Sequence, residues 1–61
     1  MHLRLFDPAD VEPLLAFLQR AEVAARKLTD SMIEIDPPRE QAVLLLAIWK
    51  AMHPESDFAW A

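Results

Sequence analysis

The chain contains no cysteine, no glycine, no tyrosine and no asparagine among its 61 residues. Without cysteine there is neither a disulfide nor a thiolate metal site to hold so small a chain together. The same absence fits a reducing, cytoplasmic setting. Without glycine there is no glycine-rich loop of the kind that cradles phosphates. No apolar run reaches the roughly 18–20 residues of a membrane span. The opening MHLRLF is too short and too polar for a secretion signal, because Asp7 interrupts it. These absences predict a single soluble domain over residues 1–61 that is held by packing alone.

Apolar residues are plentiful. They make up 54% of the chain with no glycine contributing, above the roughly 45–50% usual for globular domains. A domain this short buries only about 60% of its unfolded surface, so the excess points to a partner or to a second copy of the chain. The net charge is −4. Residues 1–28 are balanced, with Arg4, Arg20, Arg26 and Lys27 against Asp7, Asp10, Glu12 and Glu22. The deficit lies in residues 29–61, where Arg39 and Lys50 face Asp30, Glu34, Asp36, Glu40, Glu55 and Asp57. Such a chain is repelled by phosphate backbones, which argues against direct nucleic-acid binding. It suits a partner protein with a basic surface, such as a nucleic-acid-binding complex.

The clearest periodicity is Val11, Leu14, Leu18, Ala21, Ala25, Leu28 and Met32, spaced 3-4-3-4-3-4. It predicts a helix near 11–32. Asp10 is the favoured cap, since Pro13 then falls in the first turn, where no N–H is needed. A second helix is expected near 37–52, with Asp36 as its cap, Pro37 at its first position and Pro54 beyond its end. Its core, AVLLLAIW from Ala42 to Trp49, is apolar on every side and is expected to be buried on most of them. The expected fold is therefore mainly α: a helical hairpin of two main helices with a short extended N-terminal arm and a C-terminal tail. TDSMIEIDPP admits an alternative, a small α+β unit in which residues 3–6 pair with 32–35.

No catalytic constellation stands out. The candidate nucleophiles are Thr29, Ser31 and Ser56, and the histidines, His2 and His53, lie near opposite ends. HPESD brings His53, Ser56 and Asp57 close in sequence, but at a helix end, where the ordinary role is termination and capping. No enzymatic activity, cofactor or metal site is expected. The acids Asp30, Glu34, Asp36 and Glu40 form a candidate partner-binding patch that imitates nucleic-acid charge. Their ordinary role is a solvated face plus a helix cap. Leu45, Trp49, Met52, Phe58 and Trp60 form a candidate apolar contact for a partner or for a homodimer.

LRLFDPADVEPLLAFLQRA resembles the opening strand and helix of GNAT-type acetyltransferases over about a third of the chain. The acyl-CoA site of that family is built by a later glycine-rich turn, which is missing here, so no acetyltransferase function follows. In general character the whole chain is similar to small phage-encoded inhibitors, including anti-CRISPR proteins, although no motif carries that likeness. It implies binding to a host defence complex at its DNA-binding surface. The leading expectation is a small acidic interaction protein that inhibits or regulates a larger macromolecular target. The alternative is an assembly subunit that homo-oligomerises through its second helix.

Overall fold

The computed structural model describes residues 1–36 and 39–61. The expectation of Pro37 at the first position of a helix lies outside the described residues. The elements run β1 (His2–Leu5), a 3-10 turn (Pro8–Asp10), α1 (Val11–Arg20), β2 (Ala25–Thr29), β3 (Met32–Ile35), α2 (Arg39–Met52) and β4 (Phe58–Trp60). The strands form one antiparallel sheet in the order β2-β3-β1-β4. The fold is a small α+β unit, and the mainly helical hairpin is overturned.

The correction begins at the end of α1. Asp10 stands at its N-cap position but makes no capping hydrogen bond, the capping carboxylate being Asp7, which accepts from the Ala9 N–H at 3.0 Å. Pro13 lies in the first turn, but the helix stops at Arg20 rather than running on to residue 32. Glu22 adopts φ 64°, in the left-handed region. Its N–H donates to the Gln19 carbonyl at 3.0 Å, and the Val23 N–H donates to the Leu18 carbonyl at 3.0 Å. These two bonds define a Schellman cap, and Val23 completes it by entering the core beside Leu18. Continuing the helix would have put Ala21, Ala25, Leu28 and Met32 on its inner face and left Ile33 and Ile35 off it. Turning the chain back instead lets Ile33 and Ile35 be buried completely. The apolar alternation of MIEI, with period two, overrides a heptad stripe that has only alanines at its middle.

The sheet has two unlike faces. Leu3 pairs with Ile33 and with Trp60, and Leu5 with Phe58. With Ile35, these side chains meet α1 and α2 in one core that also holds Val11, Leu14, Leu15, Leu18, Val23, Ala42, Leu46 and Trp49. The other face carries Arg4, His2, Glu34 and Arg26 and stays open to solvent. The pairing of residues 3–6 with 32–35, weighed as the alternative, is present as β1 on β3, in the middle of a larger sheet. The β2–β3 hairpin has a bulge between Lys27 and Thr29.

Candidate functional site

α2 packs on the core through Ala42, Leu46 and Trp49, which follow one another at helical spacing along a single face. The expectation that AVLLLAIW is buried on most sides is not met. One side is buried, and the opposite side is bare. Val43 is 45% exposed, Leu44 63%, Ile48 44% and Met52 54%. Ala47 and Ala51 lie among them, also exposed. Small side chains between larger ones give a partner helix ridges to grip and a floor it can approach closely. Toward the start of the helix the surface sinks into a shallow groove of about 480 Å³ lined by Arg39, Glu40, Val43, Leu44 and Ala47.

The anticipated apolar contacts distribute differently. Trp49 is core, 3% exposed, with its ring tilted against Phe17 at a centroid distance of 5.5 Å. Leu45, Phe58 and Trp60 are half-buried against the core. Arg39 lies over the Trp60 ring, 5.3 Å from its centroid. Only Met52 of the five is freely exposed. Sequence reasoning missed Val43, Leu44 and Ile48. An apolar helix packed on one face of a sheet leaves its far side uncovered, and the expected helical hairpin offered no sheet from which to see this.

The four acids do not converge. Asp30 sits in the β2–β3 turn and Asp36 just beyond the other end of β3, roughly 20 Å apart at the rise of an extended strand. Glu40 is in the first turn of α2. Glu34 is held on the open sheet face between Arg26 and His2. Arg26 donates to it through Nε at 2.7 Å, and His2 Nε2 lies 3.3 Å away. The hydrogen bond from Arg26, followed by that from His2, holds its carboxyl below the usual glutamate range. A carboxylate so engaged is a poor phosphate mimic.

His53, Ser56 and Asp57 are likewise separated by their partners. His53 stacks on Trp49, with centroids 3.9 Å apart. Asp57 accepts from Lys50 Nζ at 2.9 Å. Ser56, 1% exposed, accepts from Trp49 Nε1 at 3.2 Å and donates to Asp10 Oδ2 at 2.9 Å. This buried relay ties the tail to the start of α1. Among the described residues, no three His, Asp or Glu side chains gather as a metal-holding group. Among the described residues no helix is long and apolar enough to cross a membrane. No family model, curated protein or solved structure matches the chain.

Proposed function

We propose that the protein is a cytoplasmic interaction module that inhibits or regulates a larger protein by docking the bare face of α2 onto it. The supporting observation is the row of exposed apolar side chains Val43, Leu44, Ile48 and Met52 on one helix of a domain whose core is already closed. The partner surface is an amphipathic helix with an apolar stripe bordered by lysine or arginine. The stripe answers the apolar row, while the basic border answers Glu40, Glu55 and the net charge of −4. Inhibition by occupying a partner's surface needs no catalytic group. It also agrees with the general likeness to small phage-encoded inhibitors, including anti-CRISPR proteins, with the contact moved from the scattered acids to α2.

The test is capture of partners from the native host by the wild type, by Leu44→Glu/Ile48→Glu, and by a variant reversing Asp30, Glu34, Asp36 and Glu40 to lysine. Partners identified by mass spectrometry are then titrated with each purified protein. The α2 double variant is expected to weaken binding by about 30-fold or more, the scale of losing a central contact residue. The acid reversal changes mainly the association rate and its salt dependence. Binding lost in the acid reversal and kept in the α2 variant would return the contact to the charges and sink the α2 reading.

A further inference from the structure

We propose that β4 is a second interface, at which another copy of the chain pairs antiparallel through its own β4 about a two-fold axis at Ala59, joining two four-stranded sheets into one. β4 stands at the edge of the sheet, with β1 on one side only. The Phe6 N–H donates to the Asp57 carbonyl at 3.1 Å and the Ala61 N–H to the His2 carbonyl at 2.9 Å, with Arg4 opposite Ala59 between them. The alternation of an antiparallel ladder therefore turns the N–H and C=O of Phe58 and Trp60 outward. Among the described residues nothing pairs with that outer side.

The two edges of the sheet differ in how they meet another strand. β2 carries Arg26 and Lys27, and such charges discourage pairing. The segment FAW of β4 carries no charge. A shallow depression of about 440 Å³ lined by Arg4, Phe6, Ala59, Trp60 and Ala61 runs beside it, and Phe6 is 65% exposed there.

FAW is complementary to itself. Turned about Ala59, each outward pair sets Phe58 against Trp60 of the second copy and exchanges two hydrogen bonds, which makes four in all. Both aromatics lie on the helix-covered face, in register with Leu5 and Leu3. Ala59 meets Ala59 on the open face, where nothing larger blocks the approach, and Asp57 meets Ala61. Within Phe58–Trp60 no like charges oppose each other. The two Arg4 side chains are separated by two intrasheet spacings and one new one, about 15 Å between their Cα atoms, and are screened at that distance. An unrelated peptide could satisfy the backbone groups; a second copy also fills both aromatic positions. The pairing is isologous and closes on itself, leaving the cationic β2 edges outermost. It places two α2 faces on one particle, which raises avidity for any partner with repeated sites.

The chain has no native cysteine, so a single introduced thiol reports the geometry. Residues facing each other in a non-hydrogen-bonded pair have Cα atoms about 4.5 Å apart, inside the range a disulfide spans. Ala59→Cys under mild oxidation is expected to give mostly covalent dimer, and Asp30→Cys, in the far turn, mostly monomer. In sedimentation over a concentration series, the wild type is expected to approach twice its mass of 7.0 kDa. Ala59→Glu, which sets two carboxylates face to face, is expected to stay monomeric throughout and to melt as the wild type does at concentrations low enough for both to be monomers. Rising salt strengthens this association between two anionic chains, whereas it weakens docking of α2 on a basic partner, so the two proposals fail separately. Cross-linking of Ala59→Cys no faster than Asp30→Cys, a strictly monomeric wild type, or a dimer lost in Leu44→Glu and kept in Ala59→Glu would each overturn the β4 interface.

Discussion

Glu22 turns the chain out of α1 and decides the architecture of its first half. Its φ of 64° places it at the left-handed position after a helix, ordinarily taken by glycine. The sequence has no glycine to mark the spot, so the stripe from Val11 to Met32 ran through the stop unmarked. A non-glycine residue in this conformation costs roughly 1–2 kcal/mol, and part of that gain returns as lost unfolded-chain entropy when glycine replaces it. Glu22→Gly is therefore expected to stabilise the protein by about 0.5–1 kcal/mol, a rise in melting temperature of several degrees for a domain this small. Calorimetry checks it; a lowered melting temperature would mean that the Glu22 side chain contributes more than its backbone loses.

Among the elements, α2 and the start of α1 at Val11 were legible. Asp10 holds the N-cap position without a capping hydrogen bond, while Asp7 caps the preceding turn by accepting from the Ala9 N–H. The run from Ala42 to Trp49 could only be helix or buried strand. The side of α2 left bare was not legible, because the sequence shows no sheet for it to lie on. On the open face of that sheet, Glu34 joins β3 to Arg26 on β2 and His2 on β1. Its carboxyl is held below the ordinary value of 4.5 by the Arg26 and His2 hydrogen bonds. The unfolded chain takes up the proton first as pH falls, so stability from this group is complete above that ordinary value. It is lost as pH drops through the lower folded one. Urea midpoints of the wild type and Glu34→Gln are expected to differ at neutral pH and to converge in acid. A gap that stays constant down the pH series would assign the difference to packing.

At the scale of the whole molecule, the accessible surface is 3877 Å², against about 4,000 Å² for a compact monomer of this mass. The apolar excess thus comes from placement, much of it on α2, and not from loose packing. The relay Trp49–Ser56–Asp10 crosses most of the chain, and no spacing in the sequence announced it, since Ser56 and Asp10 are 46 residues apart. Ser56→Ala leaves the indole N–H and the carboxylate without their buried partner, so a loss of about 1–3 kcal/mol is expected in urea unfolding. A loss under a few tenths would show that water replaces the hydroxyl. The order of strands has a consequence for synthesis. Of the four strands β1 is the first made and lies inside the sheet, yet one of its two neighbours, Phe58–Trp60, is the last of the four, with Leu3 opposite Trp60. While the ribosome adds residues at about 5–20 per second, Leu3 and Leu5 wait with one flank uncovered. The sheet therefore closes only once residue 60 has cleared the exit.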